Sequence, residues 1–227
     1  MENFYPIIAA VLVVFLHLYG EKLSGYLDGF HEEILSLGAG LMVGIFFLEI
    51  LPQLTIGIEY LGRSVYLLLL FGFVIIHTLE KFVYQKNIEG DLNIEKNRFE
   101  AFGIGLYGLL IGFIVTIFFD SFGQVAFLLL IPLYIRTFAI SVFLKDIFEN
   151  MDDRMRYPLS LTPLIGVILS LHLFKTGVLL YTTFSFLMGI LLYILVRDMI
   201  PLGREGKTKW FLVGIIVLMV SFLLFQM

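Results

Sequence analysis

The sequence has no cysteine and few charged residues. Without Cys the 227-residue chain can form no disulfide framework, thiolate metal site or iron–sulfur cluster. Charged residues make up 15% of the chain, against about 25% in soluble domains. Its 15 Lys and Arg do not outnumber its 19 Asp and Glu, so the basic excess that nucleic acid calls for is missing. These absences exclude a soluble enzyme, a disordered chain and a nucleic-acid-binding protein.

Apolar residues are what the chain has in excess. They make up 59% of it, with Phe at 24 positions. A water-soluble globule of this size has too little interior to bury so much apolar surface. Spanning a bilayer takes roughly 20 apolar residues per helix. We therefore predict an all-α, polytopic membrane protein whose main partner is the lipid bilayer.

Polar breaks divide the chain into predicted spans within a single transmembrane domain, 1–227. Two very short connections, 120–123 and the turn at Lys175, predict tight hairpins. The longer polar connections are predicted at 20–34, 85–98, 146–156 and 198–208. The eight predicted helices are 3–19, 35–57, 64–84, 99–119, 124–145, 157–173, 176–197 and 209–226.

Basic residues predict the orientation. Twelve of the 15 Lys and Arg fall in or beside the connections after odd-numbered helices, whereas Arg63 and Lys175 lie on the other side. The positive-inside rule places the basic side in the cytoplasm. Both termini are then expected to face outward.

Two segments share a spacing that indicates an internal repeat. In each segment an acidic residue lies nine positions after a glycine, and a proline lies twelve positions after the same glycine. An even-numbered and an odd-numbered helix cross the bilayer in opposite directions, so the repeat would be inverted, as in many secondary transporters. Chance is the alternative, since Gly and Pro are common in membrane helices. The spacing occurs at Gly40, Glu49 and Pro52 and again at Gly189, Asp198 and Pro201.

Four segments together resemble the ZIP (Zrt/Irt-like) family of divalent metal transporters. Segment 39–52 is similar to the family's Gly-rich second helix, 72–81 to its third, 161–166 to its sixth and 189–201 to its seventh. The resemblance implies eight helices in a 3+2+3 arrangement, with an inverted repeat of helices 1–3 (1–84) and 6–8 (157–226). The central pair would be 99–145, and the substrate a divalent metal ion.

The chain departs from the family where the metal is bound. There the family has a His followed by Ser or Asn and a carboxylate before a Gly in the fourth helix, and His-x-x-Pro-Glu in the fifth. Imidazole and carboxylate suit divalent transition metals. We therefore expect a degenerate central site, which lacks these ligands and does not bind zinc tightly. The matching transport-pathway positions here are Tyr107, Gly108, Ile111, Tyr134, Thr137 and Phe138.

Arg136 is a charged residue about halfway along the predicted fifth helix. A central Arg costs about 2.5–3.5 kcal/mol on insertion scales, and such residues usually face a cavity or a partner. An anion site, a counter-ion and a fixed positive gate are the functional interpretations. The structural alternative is a bridge to backbone carbonyls or to an acid.

Other polar residues are weaker candidates. Glu49, with Gln53 beside it, replaces a family His and could form a weak oxygen-lined mouth with Asp120 and Gln124. Asp120 and Gln124 are equally explained as turn residues in the headgroup region. His77 and Glu80 are three residues apart on one helical face, which suits a metal pair, a proton relay or interfacial anchoring.

Lone histidines and small residues complete the set of candidates. His17 and His172 are expected at the membrane interface. Gly108 and Gly112 form a small-xxx-small pair that allows close packing within the protomer or a homodimer. 

Two functions remain as hypotheses. The first is a ZIP-like transporter of a metal cation; the second is a ligand-depleted membrane protein with a binding or regulatory role. An enzyme is not expected, because His31-Glu32 has Leu35 where an H-E-x-x-H motif needs its second His.

Overall fold

A computed structural model describes residues 4–27, 30–86, 92–123, 126–143, 153–173, 176–199 and 206–225. These residues form helices and short connecting turns, and no strand occurs among them. The predicted all-α class is confirmed to that extent. Gln124 and Pro201, both singled out from the sequence, lie outside the described residues.

The helices follow the apolar stretches of the sequence in order. Two of them contain a turn of π-helix, which we call the first and second π turns. In chain order the elements are α1 (Phe4–Leu27), α2 (His31–Ile45), the first π turn (Phe46–Ile50), α3 (Leu51–Ile56), α4 (Ile58–Leu61), α5 (Ser64–Lys86), α6 (Leu92–Phe122), α7 (Ala126–Leu129), α8 (Ile131–Phe143), α9 (Asp153–Ser160), α10 (Thr162–Leu173), α11 (Gly177–Ile194), the second π turn (Leu195–Met199) and α12 (Thr208–Phe225).

Several helices extend beyond the predicted spans. α1 continues to Leu27, through much of the expected connection 20–34, and α6 begins at Leu92, inside the expected connection 85–98. Glu and Lys are good helix formers, so polar residues end an apolar run without ending its helix. Hydropathy therefore located the helices but misplaced their ends.

Four helices of the described chain are long and apolar enough to cross a bilayer. They are Glu32–Leu61, Ser64–Phe82, Phe102–Asp120 and Gly177–Arg197. Shorter apolar helices cover Phe4–Tyr19, Thr162–Leu173 and Thr208–Leu223. Their exposed sides carry large apolar side chains, as contact with lipid requires. The membrane character predicted from composition is thus supported by helix length and surface.

α5 and α11 pack closely and run parallel. Gly72 lies against the backbone of Phe186, and Gly189 lies against the backbone of Leu69, so a Cβ atom at either glycine would collide with the facing helix. Farther along, Glu80 of α5 meets Arg197 of the second π turn. Residue numbers therefore increase in the same direction along the contact on both helices, as they do in a parallel pair.

α2 and α12 pack in the same manner. Gly40 lies against Phe211, and Gly214 against Leu37, again backbone to backbone. The Lys207 amide donates a hydrogen bond to the Ser36 hydroxyl, 2.9 Å away, at the start of both helices. These two helices are also parallel.

α2 and α11 run in opposite directions. Gly57 and Tyr60, near the end of the continuous α2–α4 segment, contact Tyr181 near the start of α11. The beginning of that segment, α2, packs instead against the second π turn at the end of α11. 

A third close helix pair joins α6 to α10. Gly112 and Gly166 face each other, and Gly108 lies against Thr162. Thr116 lies one helical turn beyond Gly112, and its hydroxyl accepts a 2.5 Å hydrogen bond from the Ser170 hydroxyl. The small-residue pair Gly108 and Gly112 is therefore covered by α10 of the same protomer.

Candidate functional site

The first π turn places Glu49 in the interior. Its side chain is 9% exposed and lies between the buried Phe46 and Ile50, whereas Phe47 of the same turn faces outward. Gln53, one turn later, is buried to the same extent. Glu49 makes no hydrogen bond or ion pair with the described residues. A π turn is rare and often marks a functional site, so this carboxylate is the principal acidic candidate.

Tyr107 and Arg136 meet between α6 and α8. Tyr107 is 4% exposed and Arg136 is 6% exposed. The guanidinium of Arg136 lies close enough to the phenol of Tyr107 to act on it electrostatically. The Tyr107 hydroxyl is shielded from solvent, and Arg136 is the charged group that acts on it. A guanidinium, one of the most costly groups to bury, thus lies beside a buried phenol.

The other positions that match the family site are buried or partly buried. Ile111 and Thr137 are fully buried, and Gly108 allows α6 to approach Thr162. Tyr134 and Phe138 are partly buried. The Tyr134 hydroxyl is shielded from solvent and makes no hydrogen bond to a described residue.

The donor chemistry at these positions does not fit a divalent cation. A phenol, a guanidinium and hydrocarbon replace the imidazoles and carboxylates that would compensate for a lost water shell. Among the described residues no group of three or more His, Cys, Asp or Glu is placed to hold a metal. A metal substrate would therefore depend on Glu49 and on weak oxygen ligands.

Glu80 is part of an ion pair between α5 and α11. Arg197 Nη1 lies 2.7 Å from one carboxylate oxygen, and the Tyr193 hydroxyl donates a hydrogen bond to the other. His77 is exposed, and its ring packs against that of Tyr193 with centroids 5.6 Å apart. Because both oxygens of Glu80 are engaged, the arrangement favours a structural ion pair over the metal pair that the spacing suggested.

The opposite end of α11 carries an acidic and aromatic cluster. Tyr60 and Tyr181 stack with ring centroids 5.1 Å apart. Asp120 and Glu59 lie near enough to the Tyr181 phenol to act on it electrostatically. Asp120 and Glu59 are exposed, so this end of the molecule carries solvent-accessible carboxylates.

The sequence did not predict the burial of His17 or the pairing of Tyr193 and Arg197 with Glu80. His17 was expected at the interface but is buried, and neither ring nitrogen hydrogen-bonds a described residue. Its spacing of four from Val13, which continues the buried face of α1, was the available signal. Tyr193 and Arg197 were not assigned to Glu80, because such distant pairing leaves no local pattern.

Comparison with known proteins supplies no family. No protein-family model matches the chain, and no curated protein matches it. The ZIP resemblance therefore rests on the segments and positions of the sequence itself.

Proposed function

We propose that the chain is a ZIP-like integral membrane transporter with eight spans, built as two inverted three-helix repeats around the central pair α6 and α7–α8. The observation that carries the proposal is the register of the two π turns. Each begins six residues after the glycine at a close helix contact, Gly40 or Gly189. Because α2 and α11 run in opposite directions, this shared register fits an inverted repeat.

The remaining helices of the repeats support the same relationship. The buried positions of α1 and α10 share one spacing, and both series begin with a proline. On α5 and α12 a contact glycine is followed four residues later by a buried apolar residue. The matched sets are Pro6, Ala9, Ala10 and Val13 with Pro163, Gly166, Val167 and Ser170, and Gly72 and Ile76 with Gly214 and Leu218.

The pairing of helices between repeats is symmetric as well. α2 of the first repeat packs on α12 of the second, and α11 of the second packs on α5 of the first. Exchanging the repeats converts one pair into the other. Secondary transporters place the substrate where such repeats meet, and Glu49, Tyr107 and Arg136 are among the buried residues that could line such a site.

The family resemblance makes a metal cation the expected cargo, although the central ligands are degenerate. A ligand-depleted, non-transporting protein with a binding or regulatory role is the second candidate. The observation in its favour is the absence of imidazole and carboxylate from Tyr107, Ile111, Tyr134 and Phe138. Glu49 separates the two hypotheses, because a carrier needs a buried acid that its cation can reach.

Flux measurements in proteoliposomes test the proposal. We expect uptake of zinc, iron, manganese or cobalt under a gradient to exceed that of empty liposomes and to fall at least tenfold in Glu49→Ala. Losing a charged ligand from a site typically costs more than 1.4 kcal/mol, which corresponds to that factor.

Phe47→Ala is the matched control, since Phe47 lies on the same π turn and is 57% exposed. Its flux should equal that of the wild type. Arg136→Ala, measured beside it, reports whether the central charge limits cation passage. If none of the four metals crosses above background, the carrier is abandoned in favour of the second candidate.

A further inference from the structure

A buried face of the α2–α4 segment leads from Glu49 toward one end of the molecule. Glu49, Gln53 and Gly57 follow one another at intervals of four residues, so they lie on one side of the helix. All three are buried. At the same interval in the other direction lie Ile45 and Leu41, which are buried and apolar. On this face, polar character therefore continues from Glu49 toward Gly57 and stops toward Leu41.

The face is turned toward α11. A Cβ atom at Gly57 would lie 2.9 Å from Cδ1 of Tyr181. Ser185, one turn later on α11, is fully buried, and its hydroxyl donates to the Tyr181 carbonyl at 2.6 Å. Because α2–α4 and α11 run in opposite directions, Ser185 lies at the depth of Gln53. Polar groups from both helices thus lie between Glu49 and Tyr181.

Two stacked tyrosines close this end. The rings of Tyr60 and Tyr181 are 5.1 Å apart between centroids, with 19° between their planes. Each ring also covers a glycine of the facing segment, Tyr181 at Gly57 and Tyr60 at Gly177. At the other inter-helix glycines, such as Gly189, the facing atoms are backbone. A side chain can change rotamer while its helix stays in place, so this contact can open locally.

A corresponding contact joins the proposed repeats at the opposite end. Glu32 lies fourteen positions before the first π turn, as Tyr181 lies fourteen positions before the second. Glu32 pairs with Lys207 at 3.4 Å, and both side chains are exposed. Lys207 leads into α12 as Tyr60 leads into α5. Exposed ion pairs contribute little, whereas packed aromatic pairs gain from burial and from ring geometry, so the tyrosine end is held more firmly.

We propose that Tyr60 and Tyr181 form the outer gate of a cation path to Glu49. The proposal rests on the transporter function, and the positive-inside rule places this end outside. The stacked rings exclude water and ions from the buried face. Rotation of either ring opens the face to the exposed carboxylates of Glu59 and Asp120, which attract cations.

The reactivity of a thiol on the path tests the gate without a flux measurement. The chain has no native cysteine, so Gln53→Cys supplies a single thiol. In purified protein in detergent micelles, we expect a cationic methanethiosulfonate to modify that thiol slowly. Adding Tyr60→Ala or Tyr181→Ala should raise the rate at least tenfold. That factor corresponds to about 1.4 kcal/mol, which the loss of a packed and stacked ring exceeds.

Leu54→Cys and Tyr66→Ala are the controls. Leu54 is next to Gln53 and 1% exposed but lies off the polar face, so its thiol should stay slow in every background. Tyr66 is 48% exposed on α5, and its removal should leave the rate at Gln53→Cys unchanged. Tyr60 is itself 50% exposed, so Tyr60→Ala keeps the core intact. Fast modification with both rings present, or a rise that Leu54→Cys shares, would overturn the gate.

The gate and the carrier fail separately. If the rate rises as expected and none of the four metals crosses in the flux assay, the stack still controls access to Glu49 and the carrier is abandoned. If a metal crosses and removing either ring leaves the rate unchanged, the carrier stands and the gate is overturned.

Discussion

Glu80 shows how a carboxylate is accommodated at the end of an apolar helix. It is 8% exposed, yet its oxygens accept from a tyrosine and an arginine of a single neighbouring helix segment. Removing one partner of such a pair leaves a charge with reduced compensation. The pair therefore contributes to the association of α5 with α11.

We expect Glu80→Gln and Arg197→Gln each to lower the free energy of unfolding by about 1–3 kcal/mol, a range reduced for the partial exposure of Arg197. The double variant should lose less than the two single losses combined. Unfolding in SDS mixed micelles measures all three.

The matched control is Glu32→Gln. Glu32 pairs with Lys207 at 3.4 Å, but both side chains are exposed, so the loss should stay within about 0.5 kcal/mol. Fully additive losses at Glu80 and Arg197 would contradict the assigned pairing.

Arg136 was found from the sequence because a charge in an apolar run is conspicuous. Its neighbour Tyr107 was marked only through the family resemblance, and nothing local indicates that their side chains meet. The pairing depends on how α6 and α8 approach each other, which sequence periodicity does not encode.

The helix pairs depend on glycines that let backbones touch. At Gly189 a Cβ atom would lie 2.8 Å from the carbonyl carbon of Leu69 and from the amide nitrogen of Phe73. Neither atom can move without shifting α5. The contact between α5 and α11 is thus set by the absence of a side chain.

Gly189→Ala should force the two helices apart and destabilise the protein by about 1–3 kcal/mol, as overpacking does. Gly103→Ala is the control, since a Cβ at Gly103 of α6 meets nothing within 4 Å. That change should be neutral or stabilise the helix by about 0.5–1 kcal/mol. Equal unfolding midpoints for the two variants would count against the close packing.

The π turns could not be predicted from the sequence. The spacing of Gly40, Glu49 and Pro52 marked the segment, but a π turn depends on the way the helix is held by its neighbours. The repeat was predicted from residue spacing alone, and the shared register of both π turns is a separate observation that is consistent with that prediction.

The orientation of the chain across the bilayer can be tested because the protein has no native cysteine. Arg63 and Lys81 lie at opposite ends of α5 and are both exposed. At 1.5 Å per residue the helix between them is about 25–30 Å long, which approaches the hydrocarbon thickness. 

We expect a membrane-impermeant maleimide to label Arg63→Cys in intact cells and Lys81→Cys only after permeabilisation. The reason is the concentration of basic residues on the Lys81 side. The cysteine-free wild type is the control for background labelling. Labelling of both positions in intact cells would contradict the predicted topology.

Hydropathy and charge therefore predicted the class of the protein and the approximate position of its helices. They did not predict which helices pack together. α5 packs on α11 and α2 packs on α12, and the contacting residues Glu80 and Tyr193 are 113 positions apart, Ser36 and Lys207 171 positions. Such distant pairing follows from shape complementarity at glycines. The candidate site could not be predicted for the same reason, since its polar groups come from separate helices.

The cross-packing of the helices has a consequence for biosynthesis. During translation α2 and α5 emerge well before α12 and α11, the helices against which their glycines pack. The contact surfaces of α2 and α5 therefore stay uncovered until the carboxyl-terminal half has been synthesised. Neither half can complete its own fold, so two fragments divided between α8 and α9 should accumulate only when both are produced together.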